Sequence, residues 1–470
     1  MVYRSPVSSL QVRLRSHVAI PLYRSAYALM AGVAVNSALG FLFWAIASRT
    51  YSTHAVGVDS AAIAALTFLT GIGGLFLDGS LYRFLPRAGD ATGRLVTAAT
   101  VVTVASATLA SVVFIAGLHV WAPDLSFLRS SGWVVLVAIL SVVGSCLLVL
   151  VDGALIGVRR AGWVPIKGSA YGLAKIAALV ICVALVPRYG ILVAWVAPSA
   201  LVLLGSAWLL GRRLLPLHRE ASRESSEQFG VAPVVRYATG NYVAFLCNLA
   251  YRTLPPLLVI HELGARSSAF FYVPWLVSTS LVLLTNNLSV SLVVEGSLDP
   301  RELTLQTRRA LRQFIRLILP ISGVLLVGSP YILRVFGQEY ASHGASLLRL
   351  LALGLVPASI TIIAIGVARV QDHVRLIIVT QFVLAVLVLG LGAVFIRAIG
   401  LEGFGLSWLI AQTAVAVWLS RRELRPVLKP PRRLRRRQML RLEALEGEVD
   451  RLERDFRERM TRLDSPERAR

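Results

Sequence analysis

Lys175 lies near the middle of a long apolar run, with Tyr171 one helical turn before it, so the two share a helix face. A charge at the centre of a lipid-crossing helix costs about 2.5–3.5 kcal/mol on insertion scales, and each such residue therefore asks for a partner or a function. Asp152, in the preceding apolar run, is the candidate counter-charge. Arg252 falls inside another run, beside a Pro255-Pro256 pair that must kink or interrupt its helix. Arg49 closes the first run, and Asn36, Asn241 and Asn248 add amide donors and acceptors. Together these residues point to a cationic cavity, in which Lys175, Arg252 and Arg49 attract phosphate oxygens and the amides bind hydroxyls. A competing reading places Arg49 at the membrane interface, uses the asparagines as hydrogen bonds between helices, and gives Asp78, Arg83 and Glu295 to helix ends.

The chemistry of this pattern is binding, not catalysis. The sequence has no Gly-rich phosphate loop with its Lys and Ser or Thr, no His pair at metal-ligand spacing and no nucleophile elbow, so neither an enzyme nor a cofactor or metal is expected. Cys146, Cys182 and Cys247 lie within apolar runs and read as packing residues. Without a nucleotide-binding motif, any transport must draw on an ion gradient, the membrane potential or the substrate's own gradient.

The elements that position these residues are membrane helices. A hydrophobic fraction of 56%, with 16% charged residues and a mean hydropathy of +0.70, is foreign to a soluble domain. About 20 apolar residues span a bilayer core, and the chain supplies about twelve such runs. They fall near 26–48, 56–77, 95–120, 133–157, 165–187, 190–211, 237–260, 268–290, 313–333, 345–368, 374–396 and 402–420. The net charge of +23 alternates along this topology. One set of joints holds Arg13, Arg15, Arg83, Arg87, Arg159, Arg160, Lys167 and the arginines of 212–236, whereas the other holds little beyond Arg49, Arg129, Arg188, Arg266, Arg334 and Arg397. By the positive-inside rule this predicts a multi-pass protein of the bacterial inner membrane with both termini cytoplasmic, and it accounts for the basic charge without a nucleic-acid partner.

The polar break at 212–236 divides the runs six and six. The expected organisation is a basic N-terminus (1–25), a six-helix bundle (26–211), a linker (212–236), a second six-helix bundle (237–420) and a tail (421–470). Ala47-Ser48-Arg49-Thr50 echoes Ala250-Tyr251-Arg252-Thr253, and Asp78-Gly79-Ser80-Leu81 echoes Glu295-Gly296-Ser297-Leu298, as internal duplication would leave. Six helices is an even number, so duplicated halves share one orientation and enclose a central cavity. In the tail, Arg432 to Arg437 form a basic cluster suited to anionic lipid headgroups. Leu442, Leu445, Val449, Leu452 and Phe456 then trace a heptad seam. That seam fits either an amphipathic surface helix or one that self-associates or binds polysaccharide-synthesis enzymes.

Several short motifs bear a family likeness. Asn36-Ser37-Ala38-Leu39-Gly40-Phe41, Arg49-Thr50-Tyr51 and Val56-Gly57 resemble the start of polysaccharide and O-antigen flippases of the multidrug/oligosaccharidyl-lipid/polysaccharide (MOP) exporter superfamily. Phe336-Gly337-Gln338-Glu339-Tyr340-Ala341 and Gly400-Leu401-Glu402-Gly403-Phe404-Gly405 are similar to turns in its second half. The resemblance covers roughly residues 20–425. It implies an all-α membrane protein of two six-helix bundles in a V, which moves an undecaprenyl-diphosphate-linked oligosaccharide between leaflets by alternating access. It also admits a multidrug or small-molecule exporter of the same fold, whereas the tail admits a membrane scaffold. Asn36, with no carboxylate in the first run, departs from the proton-driven drug exporters, and a polar tail departs from the extra helices of lipid II flippases.

Overall fold

The computed structural model describes residues 21–221, 231–298 and 303–428. The N-terminal arginines before Pro21, the middle of the linker, and the basic and heptad-patterned tail beyond Leu428 lie outside the described residues. The first half consists of α1 (Pro21–Thr50), α2 (Thr53–Gly74) with a short continuation α3 (Leu77–Phe84), α4 (Thr92–Ala116), α5 (Gly132–Gly157), α6 (Trp163–Leu185) and α7 (Gly190–Leu209). The second half consists of α8 (Val231–Thr253), α9 (Pro255–Leu298), α10 (Leu303–Arg334), α11 (Gln338–Val370), α12 (Val374–Ile399) and α13 (Leu401–Leu419).

Helices are the expected answer to lipid, where each backbone N–H and C=O must be satisfied within its own segment. Their ends follow local chemistry. Ser52 accepts from Ala55 N at the start of α2, and Ser131 accepts from Val134 N at the start of α5. Leu254 interrupts the helix for one residue at the proline pair. Hydrogen bonds from Leu254 N to Ala250 O and from Leu258 N to Leu254 O nevertheless carry α8 into the first residues of α9. Pro256 has no N–H for the carbonyl of Arg252, and Trp275 Nε1 donates to that carbonyl instead, at 3.1 Å.

The chain reverses at Gly264, whose φ of +79° favours glycine. The bonds from Trp275 to Arg252 and from Ser268 to Pro256 show the two arms running antiparallel around it. Among the described residues ten helical stretches are long and apolar enough to cross a membrane. One of them, Pro233–Val282, holds this reversal and so makes two passes, and α1 stands outside the ten; the passes therefore number twelve.

The two halves pack by one scheme. In the first, α1 lies on α6, α6 on α7, α2 on α4 and α5, α4 on α5, and α5 on α7. In the second, α8 lies on α12, α12 on α13, α9 on α10 and α11, α10 on α11, and α11 on α13. Irregularities repeat as well. Arg159 and Asp372 both adopt left-handed backbone in the turns that follow α5 and α11. Both α7 and α13 run into a π turn, Leu210–Leu214 and Ser420–Leu424, bearing Arg212-Arg213 and Arg421-Arg422. Of the tetrapeptide echoes, the first puts Arg49 and Arg252 alike one residue before the ends of α1 and α8, but the next helix after α1 begins at Thr53, whereas beyond α8 the chain runs on to Gly264 before it reverses.

The arginine-rich joints gather at one end of the bundle, the basic end; the other is the distal end. Between the halves, α2 packs along α9 and, with α3, along α8. At the distal end α2 and α9 touch backbone to backbone, and a Cβ on Gly57 would overlap Ala265. Trp44 of α1 meets Tyr272 of α9 at 4.4 Å between ring centroids, and Phe41 meets Phe336 edge-on at 4.9 Å. Toward the basic end Tyr242 Oη donates to Ile72 O, and Phe76 packs near Tyr237 and Phe245.

Candidate functional site

The expected single cationic cavity resolves into two spaces, one in each half. The larger, about 570 Å³, lies in the second half and faces Phe76 of the first. Arg252, Asn241 and Asn248 of α8 line it. Helical steps of three and four residues put Asn241, Asn248 and Tyr251 on one stripe of α8. Asn248 Nδ2 donates to Tyr251 Oη at 2.8 Å and to Gln381 Oε1 at 3.1 Å, while Asn241 Nδ2 donates to Tyr237 O at 2.9 Å.

Sequence reasoning missed the rest of the wall. Gln381 of α12 and Gln412 of α13 contribute further amides, and Arg369 and Asp372 stand at the basic end of α11 and in the turn after it. Arg369 stands in the last turn of its helix, and the cavity reaches that far. Thr361 Oγ1 and Trp408 Nε1 also belong to the wall, and both are buried without a hydrogen-bond partner. Buried polar groups are ordinarily paired. Two unpaired ones on a cavity wall, with two guanidiniums and four amides, suit a polar ligand carrying anionic and hydroxyl groups.

The smaller space, about 250 Å³, lies in the first half among α2, α5, α6 and α7. It takes in Tyr171 and Asp152, but the counter-charge assignment is corrected: Asp152 pairs with Lys167 at 2.8 Å, not with Lys175. Lys167, expected in a joint, instead stands within α6, reaches across to α5 and also donates to Leu148 O. Tyr171 Oη donates to Trp195 O.

Lys175 is buried in an aromatic cage rather than in the larger cavity. Its Nζ lies 3.6 Å from the ring centroid of Trp195, 4.6 Å from that of Tyr171 and 5.5 Å from that of Phe43. Ring faces stabilise an ammonium where no carboxylate is at hand. The two residues expected together, Lys175 and Arg252, thus sit in different halves.

Two more expectations change. Arg49 lines neither space. Its Nε donates to Val335 O at 2.7 Å and its Nη2 to Arg334 O at 3.2 Å, so it caps the C-terminal end of α10 across the lobe seam. A guanidinium suits that position, where helix carbonyls are left open and the dipole is negative. Asn36 lines neither space as well. It packs where a Cβ on Gly168 would be, in a row with Gly32 against Pro165 and Leu39 against Gly172, and it seats α1 on α6. Small residues spaced by four allow such close helix approach.

Asp59 was overlooked, although it is the one carboxylate within the second apolar run. It is fully buried in α2, and its Oδ2 accepts from Leu192 N at 3.1 Å near the start of α7. Its Oδ1 and the hydroxyl of Tyr51 are both buried and unpartnered.

No family model and no curated protein matches the sequence. Solved structures do. An inward-facing multidrug resistance MATE family transporter of the MOP superfamily aligns at a TM-score of 0.64 and 14% identity, over 85% of this chain and 96% of that one. An outward-facing multidrug resistance MATE family transporter of that superfamily aligns at 0.60 and 14%, over 87% and 97%. The lipid II flippase MurJ, in an inward closed conformation, aligns at 0.63 and 12%, over 85% and 87%. At such identities the likeness is one of architecture alone: this chain shares with those structures a multi-pass fold of two six-helix bundles.

Proposed function

We propose that the protein moves an undecaprenyl-diphosphate-linked oligosaccharide from the cytoplasmic to the outer leaflet of the bacterial inner membrane, by rocking one bundle against the other. The observation that carries this reading is the wall of the larger cavity. Arg252 and Arg369 present planar forks that match phosphate oxygens, and Asn241, Asn248, Gln381 and Gln412 offer both donors and acceptors to sugar hydroxyls. Asp372 is the one carboxylate among the described residues of that wall and stands toward its basic end. The seam contacts at the distal end, with Arg49 across them, suit a state that receives its load from the basic end, which is the cytoplasmic side by charge.

Export of small organic cations is the second reading. It is favoured by the acids of the first half, Asp59 and Asp152, which such a cation or a coupling proton would use. One experiment separates the two: the gene is deleted, and lipid-linked oligosaccharide on each membrane face is measured with a sugar-directed label that cannot cross the bilayer. Accumulation inside with loss outside is expected. An unchanged distribution, with new sensitivity to cationic drugs, would replace the flippase by the exporter.

A further inference from the structure

The stripe of α8 that carries Asn241, Asn248 and Tyr251 along the cavity does not end with it. Continued by steps of three and four, it passes to Leu254, Leu258 and His261, and these face a second space of about 670 Å³ on the lobe seam. α12 makes the same passage, from Gln381 and Leu384 in the cavity to Leu389 in the groove. On the other side of the seam Ile72 and Leu75 belong to the groove and Phe76, the next residue, to the cavity. The two spaces are thus successive stretches of one path, polar toward the basic end and apolar toward the distal end.

The groove is built for hydrocarbon. Its floor is Leu69 of α2 and Leu257 of α9, and its rim includes Leu109 and Val113 of α4, both exposed. Of its polar side chains, Ser106 spends its hydroxyl on Gly73 O, and His261 stands at the distal limit. We propose that this groove seats the hydrocarbon chain of the substrate whose anionic head occupies the cavity. The proposal rests on the flippase reading and adds to it where the lipid part of the load goes. Its geometry agrees with the membrane: a lipid of the inner leaflet has its head at the basic end and its chain pointing toward the distal one. Bulk lipid gains little by replacing other hydrocarbon in such a groove, whereas a chain tethered to a bound head enters at high effective concentration. Occupancy of the groove by the substrate should therefore depend on arginines that do not touch it.

Photocross-linking tests this. Full-length protein in nanodiscs carries benzoylphenylalanine at Ile378 in the cavity, at Ala110 in the groove, or at Val394, an exposed position on α12. Each is irradiated with radiolabelled undecaprenyl diphosphate. Labelling at Ile378 and Ala110 well above Val394 is expected, with both falling about tenfold or more in an Arg252→Ala, Arg369→Ala background, the scale of a lost charged hydrogen bond. Labelling at Ile378 but only the Val394 level at Ala110 would overturn the groove and leave the flippase reading standing. Labelling at Ala110 that ignores the arginine changes would mark bulk-like lipid and overturn it too. No position above Val394 would overturn both.

Discussion

Gly57 permits the closest approach of the two halves, and adding a single methyl there should open the distal end. A Cβ on Gly57 would lie 2.6 Å from the carbonyl carbon of Ala265, against 3.4 Å for ordinary contact, a shortfall of about 0.8 Å, and it would collide outright with the carbonyl oxygen. Both partners are backbone, so no side chain can swing away; α2 and α9 must part. Overpacking of this kind costs about 1–3 kcal/mol, and only in conformations where the distal ends meet. The gain in helix propensity from Gly to Ala applies to either conformation and cancels. The population ratio should therefore move roughly 5- to 150-fold toward the distally open state. Ala269, one turn beyond Ala265 on α9 and fully buried, is a suitable reporter. With Cys146, Cys182 and Cys247 replaced, Ala269→Cys would be labelled from outside by an impermeant maleimide, with and without Gly57→Ala. A rise in labelling rate of that order is expected. An unchanged rate, in protein that inserts normally, would refute the backbone seam as the distal closure.

Arg49→Ala should raise the same labelling several-fold, since both donors to the α10 carboxyl end disappear but the site is exposed and each bond is worth less than a buried one. Equal rates in wild type and variant would remove Arg49 from the closure. Trp275→Phe leaves the Arg252 carbonyl without its substitute donor and should lower stability by about 1–3 kcal/mol, read as melting temperature in detergent. Asp59→Leu should cost about as much by orphaning Leu192 N–H, with Asp59→Asn milder because the amide oxygen still accepts; identical melting of the three would contradict this. Arg252→Ala with Arg369→Ala should weaken undecaprenyl diphosphate binding about tenfold or more, measured by scintillation proximity, and full retention would move the head elsewhere.

The twelve passes were legible because lipid leaves a helix no choice but a long apolar run. The arginine alternation was legible for the same reason. Which polar residues meet was not. Asp152 and Lys167 find one another across the turn that joins α5 to α6, a pairing that depends on how the two helices lie side by side. The cage of Lys175 draws Phe43 and Trp195 from helices before and after its own, and no local spacing announces it. At Pro255-Pro256 a break was readable, but not that a distant indole would fill the missing hydrogen bond and keep the axis running. Asn36 shows the converse: a polar residue in an apolar run that serves packing against Gly168 rather than a ligand. Asp59 was visible and could have been found by asking of every carboxylate in a run which helix start it could reach.

The seating of α1 on α6 also bears on how the protein is made. Between the end of α1 at Thr50 and the start of α6 at Trp163 the ribosome must add three further passes' worth of chain. At about 5–20 residues per second this takes on the order of ten seconds. Throughout that interval α1 stands in the membrane without the glycine face it is shaped for, with Asn36 turned to lipid or to the insertion machinery. Biogenesis of the first half is therefore not sequential hairpin by hairpin: its first helix is the last but one to find its place, and nascent chains stalled before Trp163 should still hold α1 at the translocon.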